Sequence, residues 1–94
     1  MNRSTPGGQL APFFDRDGAL ITVPRTESKK IALLAWLVTQ LPAGARLSEV
    51  EMNAALRPIY DDVAVLRRSL VDFGFVERPQ AGVYVIPEAA EPTP

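Results

Sequence analysis

The stretch from Asp61 to Gly74 limits the fold more than any other part of the chain. Val63, Leu66, Leu70 and Phe73 recur at helical spacing, so one face of a helix here has to be buried. Asp61 or Asp62 caps its start, where acidic charge suits the helix dipole. Gly74 supplies the left-handed residue that stops it. Two strand-like runs follow, Phe75-Val76-Glu77-Arg78 and Val83-Tyr84-Val85-Ile86, joined by Pro79-Gln80-Ala81-Gly82. That pattern predicts a β-hairpin with a glycine-containing loop. One amphipathic helix and one hairpin cannot enclose a core alone, so the upstream elements must close it.

Those elements are signalled in turn. Ser48-Glu49-Val50-Glu51 is a capping box, with Ser48 as N-cap and Glu51 reaching back. It opens a short helix over about 49–57, with Met52, Ala55, Leu56 and Ile59 as its apolar stripe and Pro58 breaking it. Arg46-Leu47 is a candidate short strand. An earlier helix begins at Ser28 and runs to about Leu41, stopped by Pro42-Ala43-Gly44. Ile31, Leu34, Val38 and Leu41 form its expected inward face, flanked by Leu37. The opposite face carries Lys29, Leu33, Trp36 and Gln40. Leu33 and Trp36 are apolar where a surface helix is polar, so cover is expected on both sides. Either the N-terminal segment, with Phe13, Phe14 and Ile21, packs over Trp36, or Leu33 and Trp36 form a protein interface. Phe13-Phe14 and Ala19-Leu20-Ile21-Thr22-Val23 flank Asp15-Arg16-Asp17-Gly18, which predicts a second, N-terminal hairpin ended by Pro24. Asp15, Asp17 and Gly18 have the look of a calcium loop, but its first acidic ligand and closing glutamate are missing, and a plain turn is the expectation.

Hairpin, helix, short strand, helix, turn, helix, hairpin is the order of a winged helix: an α+β fold with a three-helix helix-turn-helix core, a C-terminal β-hairpin wing and, here, an N-terminal β-hairpin. Another small α+β fold with the same order is the alternative. One domain is expected over 12–86, with a loose N-terminus at 1–11 and a loose tail at 87–94, both rich in Pro and small polar residues.

Composition narrows the chemistry. The 94 residues are 47% hydrophobic and 22% charged, ordinary for one globular domain. Cysteine and histidine are absent, which removes thiol nucleophiles, most zinc sites and the commonest general base. Ser48 and Ser69 have no base near them in sequence. No enzyme site, metal, cofactor or small-molecule substrate is therefore expected. The missing cysteines fit a cytoplasmic protein, and no apolar run approaches the ~20 residues of a membrane span. A net charge of −1 is low for a nucleic-acid binder, which is usually basic.

From Phe13 to Tyr84 the chain resembles the bacterial domain-of-unknown-function family DUF2087. The resemblance rests on Phe13-Phe14-Asp15 with Asp17-Gly18, on Lys29-Lys30 with Leu34 and Trp36-Leu37, and on Ser48-Glu49, Asn53 and Leu56. Its densest part is Asp61-Asp62, Ala64, Leu66-Arg67-Arg68 and Leu70-Val71-Asp72-Phe73-Gly74, followed by Arg78, Gly82 and Tyr84. Ala55 stands where that family usually has a larger aliphatic. Tyr84-Val85-Ile86 stands where an aromatic pair is common. The resemblance implies a winged-helix-like domain, standing alone or appended to bacterial transcription regulators, with no catalytic activity or cofactor.

The charged residues divide two expectations. If the domain contacts DNA, the helix at 61–73 enters the groove, with Arg67 and Arg68 as contacts and Arg78, Lys29 and Lys30 on phosphates. On a helical wheel Arg68 points outward with Asp61, Val65 and Asp72, and Arg67 lies nearer the core edge. From Ser48 to Phe73 five acids (Glu49, Glu51, Asp61, Asp62, Asp72) face three bases (Arg57, Arg67, Arg68), a net of −2. That balance opposes phosphate contact. Electrostatics alone thus favours the alternative of a protein-interaction or homodimerisation module without autonomous DNA binding, while the helix-turn-helix order and the resemblance favour a transcription-linked, DNA-contacting domain. An internal role for Arg67 is expected, with Asp72 or Glu77 as partner or Tyr84 as stacking surface. Arg68 and Asp72, four apart, are a candidate pair. Lys29 and Lys30, with Arg25, are either a solvated face or a phosphate patch.

Overall fold

Backbone donors at the starts of α2 and α3 and at the end of α3 find partners close in sequence, and these local closures fix where the helices begin and stop. The computed structural model describes residues 8–88. The chain is α+β: a 3-10 turn, three α-helices and a small three-stranded antiparallel sheet, in the order 3-10 turn Gly8–Phe13, α1 Glu27–Val38, β1 Arg46–Ser48, α2 Glu49–Leu56, α3 Val63–Asp72, β2 Glu77–Gln80 and β3 Val83–Val85. Among the described residues, no helix is long and apolar enough to cross a membrane.

The capping box at α2 closes in both directions. Glu51 N–H donates to Ser48 Oγ at 3.1 Å, and Ser48 N–H donates to Glu51 Oε1 at 2.8 Å. Asp62 caps α3, its Oδ1 accepting from Val65 N–H at 3.3 Å. At the far end of α3, Gly74 takes φ +80. Gly74 N–H reaches Val71 O at 3.0 Å and Phe75 N–H reaches Leu70 O at 2.8 Å, the paired bonds of a Schellman stop.

β3 is the central strand. It pairs with β1 through Arg46↔Val85, Leu47↔Tyr84 and Ser48↔Val83, and with β2 on its other side. The β2 pairing runs from Glu77↔Val85 to Gln80↔Val83. Between those pairs Arg78 and Pro79 together face Tyr84, a β-bulge. Pro79 has no N–H to offer a further strand and sits on the exposed edge, where proline is tolerated. Gly44 N–H to Pro87 O at 3.0 Å and Ile86 N–H to Ala45 O at 2.8 Å carry the contact between these segments beyond the strands.

The core lies between the helices and one face of the sheet. Leu33, Leu34 and Leu37 of α1, Met52 and Leu56 of α2, and Leu66 and Leu70 of α3 are buried, with Tyr84 and Ile86 beneath them. Burying each such side chain contributes about 1.5–3 kcal/mol. Ile59, in the turn between α2 and α3, is buried too, and its carbonyl accepts from Leu20 N–H at 2.7 Å. This bond fastens the N-terminal segment to the helical core.

Several boundaries differ from the sequence expectations, each for a local reason. The N-terminal hairpin shrinks to one bridge, Phe14↔Leu20, and Phe13 ends a 3-10 turn instead of starting a strand. Asp15 Oδ1 accepts from both Asp17 N–H and Ala19 N–H at 2.9 and 3.0 Å. The side chain of Asp15 thus closes the loop, and the ladder is reduced to Asp15 N–H on Ala19 O at 2.8 Å and Ile21 N–H on Phe13 O at 2.7 Å. Helix α1 starts earlier than Ser28: Lys30 N–H donates to Thr26 O at 2.9 Å, making Thr26 the N-cap. It ends at Val38, and Thr39, Gln40 and Leu41 continue as i→i+3 turns. Its buried face is rotated toward Leu33, leaving Ile31 exposed and Val38 half-buried, because the 3-10 turn packs on that side as α3 packs on the other. Phe73 is not part of the buried stripe of α3. It is the C-cap, 37% exposed, and Val76 fills the core in its place once Gly74 has reversed the chain. The α2–α3 turn spans 57–62, longer than the four residues expected, and the loop between β2 and β3 is only Ala81 and Gly82. Leu10 is in the core, so the packed region begins before residue 12. The rest of the expected loose ends, 1–7 and 89–94, lie outside the described residues.

Candidate functional site

Three arginines meet beside α3. A cleft of about 350 Å³ is lined by Arg67, Arg68, Val71 and Asp72 of α3, Glu49 of α2, Arg78 of β2 and Tyr84 of β3. The capping box places Glu49 at the first turn of α2. The bulge lets Arg78 stand against Tyr84, which β1 and β2 hold from both sides. Three guanidinium groups against two carboxylates leave the cleft with one net positive charge. This sits inside a helical segment whose overall balance is acidic.

The three arginines are not equivalent. Arg67 is clasped: Nη1 donates to Asn53 Oδ1 on α2, Nη2 lies 3.8 Å from Glu49 Oε2, and the guanidinium carbon stands 5.9 Å from the centre of the Tyr84 ring. Its side chain is only 18% exposed. The hydrogen bond, the ion pair and the cation–π contact together offset the desolvation of a charge placed this deep. The stacking on Tyr84 matches the sequence expectation. The carboxylate partner is Glu49, not Asp72 or Glu77. Arg68 and Arg78 are exposed. Arg67–Glu49 is the ion pair that forms among the described residues, so the expected Arg68–Asp72 pair is not made.

The other candidate residues lie elsewhere. Lys29 is half-buried with Nζ 5.9 Å from the centre of the Phe13 ring, which ties it to the N-terminal segment, and Lys30 is half-buried next to it. Neither lines the arginine cleft. Leu33 is 0% exposed and belongs to the core, not to a surface. Trp36 is half-buried and meets Phe14 edge to face, centroids 5.0 Å apart at 76°. The surplus apolar side of α1 is therefore covered from within the chain, by Phe14 as expected but without Ile21, which is 59% exposed. A separate apolar furrow of about 470 Å³ runs between Ala35, Val38 and Leu41 on one side and Phe75 and Pro87 on the other.

Asn53 and Glu49 are the residues that sequence reasoning did not assign to the site. The signal available was their spacing of four on a short helix, which puts both on one face, but nothing local pairs that face with Arg67. Asp15, the first residue of the calcium-like run, spends an oxygen on two backbone N–H groups.

No curated protein and no solved structure is significantly similar to the chain. A family match spans residues 19–85, which include every residue of the arginine cleft, and on that match the chain belongs to the family described as "Uncharacterized protein conserved in bacteria (DUF2087)".

Proposed function

We propose that this chain is a cytoplasmic, non-enzymatic winged-helix module, linked to transcription, that contacts duplex DNA through α3 and the β2–β3 hairpin. The observation that carries the reading is that Arg68 on the helix and Arg78 on the hairpin line one cleft, with Arg67 beneath them. A winged helix sets a helix in the groove and a hairpin against the neighbouring backbone, so paired cations on those two elements suit such a docking. The succession α2, turn, α3, hairpin supports the same reading. The five acids between Ser48 and Phe73 limit its strength. Binding is expected in the range of non-specific contacts, on the order of 10⁻⁴–10⁻⁶ M at physiological salt.

The test is a salt-titrated binding assay on random duplex DNA with Arg68→Ala beside the unaltered protein. Affinity falls with salt, and the slope of log K against log salt is reduced by ~0.9 in the variant if one phosphate contact is removed. No binding by either protein at low salt ends the DNA reading. One observation favours a second reading, association with a protein surface: the apolar furrow beside α1. It predicts a mass in solution that rises with concentration, through homodimers, and is insensitive to Arg68.

A further inference from the structure

Resting on the DNA-contact reading, we infer that the arginine cleft is a site for one phosphate group, that Arg67 Nη2 is its deepest donor, and that Glu49 is a built-in competitor which the phosphate displaces.

Arg67 carries more donors than it uses. Nη1 is committed to Asn53. Nη2 is 3.8 Å from Glu49, beyond hydrogen-bond length. It makes no hydrogen bond among the described residues, and no buried side-chain nitrogen or oxygen there lacks a partner. Nη2 is therefore reached by water from the cleft. Asn53 and the Tyr84 ring hold the guanidinium plane in place, so its donors are aimed before any ligand arrives, and little entropy is lost on binding.

Glu49 is held differently. Its side chain is 49% exposed and touches Arg67 only by charge. It occupies the first turn of α2, where its carboxylate keeps a favourable dipole interaction after letting go of Arg67. A phosphate offers what Glu49 does not: several acceptor oxygens that bridge Arg67 to the exposed Arg68 and Arg78. The bulge that sets Arg78 and Pro79 against Tyr84 completes this third corner. A cleft of about 350 Å³ has room for about ten waters, and so for one tetrahedral oxyanion with bridging water. The phosphate is that of a DNA backbone or a free phosphate, and the two are separated below.

The experiment follows the arginine side-chain NMR signals while inorganic phosphate, and separately a short random-sequence duplex, is titrated into the unaltered protein, Glu49→Gln and Asp61→Asn. Asp61 is an exposed acid outside the cleft, so its variant carries the same charge change without removing the competitor. Arg67→Ala is avoided because it removes a packing contact. Both probes are expected to move the Arg67 and Arg78 signals. Glu49→Gln is expected to tighten each probe by roughly two- to fivefold, the loss of one ion pair that is exposed on the Glu49 side only, with Asp61→Asn nearly unchanged. Shifts with phosphate but no duplex binding uphold the site, assign it to free phosphate and end the DNA reading. Duplex binding that leaves these signals unmoved, or equal tightening by the two variants, overturns the site while the DNA reading stands.

Discussion

Arg67 of α3 donates from Nη1 to the side-chain oxygen of Asn53 on α2, and this bond separates the roles of two adjacent arginines. Arg67 lies on the core edge of α3, where Asn53, Glu49 and Tyr84 converge on it. Arg68 is one step round the helix, exposed and without an ion-pair partner among the described residues. The first ties α2, α3 and the sheet together, and the second is available to a ligand.

Substitution of these neighbours is expected to split stability from binding. Arg67→Ala removes a charge-assisted hydrogen bond and the stacking on Tyr84, a loss of about 2 kcal/mol. Arg68→Ala removes no intramolecular partner and is expected to stay within about 0.5 kcal/mol of the unaltered protein. Urea midpoints of the two variants, with unchanged m-values, check this. Equal midpoints for both would contradict the clasp around Arg67.

The capping box gives a second expectation. Ser48 Oγ satisfies Glu51 N–H, and Ser48 is at the same time the last residue of β1, so its loss acts at the junction of strand and helix. Ser48→Ala is expected to destabilise by ~1 kcal/mol. Glu51→Gln keeps an acceptor for Ser48 N–H and is expected to cost less. The ordering of the two in thermal unfolding is the check.

Gly74 supports a third. A Cβ there meets nothing within 4 Å, so crowding is not the issue; the φ of +80 is. Gly74→Ala is expected to destabilise by about 1 kcal/mol from backbone strain alone. Asn visits that region more readily, so Gly74→Asn is expected to be milder. Equal losses in the two variants would point away from backbone conformation as the cause.

What was legible in the sequence follows from the range over which each signal acts. Ser48 with Glu51, Asp62 at the start of α3 and Gly74 at its end are satisfied within a few residues, so residue type and spacing suffice to place them. Ile31 and Phe73 show where that logic stops. Both fit an apolar periodicity. The angle at which α1 meets the 3-10 turn, and the point at which the Schellman stop reverses the chain, leave them exposed. The arginine cleft is the least legible part. Arg67, Arg68 and Arg78 are visible as candidates, but Asn53 is 14 residues from Arg67, and the bulge that brings Arg78 against Tyr84 belongs to strand register, which a short, mostly polar β2 does not encode.

The contact between Phe14 and Trp36 bears on whether this side of α1 is a partner surface or an internal one. The rings meet edge to face at 5.0 Å, a geometry that contributes about 0.5–1.5 kcal/mol beyond area burial. If the pair serves the fold, Trp36→Ala is expected to cost about 2–3 kcal/mol, below the 3–5 of a fully buried aromatic because Trp36 is only half-buried. Phe14→Ala, at a buried position, is expected to cost about 3–5 kcal/mol. The double variant should lose less than the sum of the two, by the coupling that a double-mutant cycle isolates. A surface held for a second copy would behave otherwise. Trp36→Ala would then lower the mass in solution and leave the unfolding midpoint of the monomer nearly unchanged. Sedimentation beside urea unfolding of the four proteins separates the outcomes, and a coupling energy near zero would remove Phe14 as the cover of Trp36.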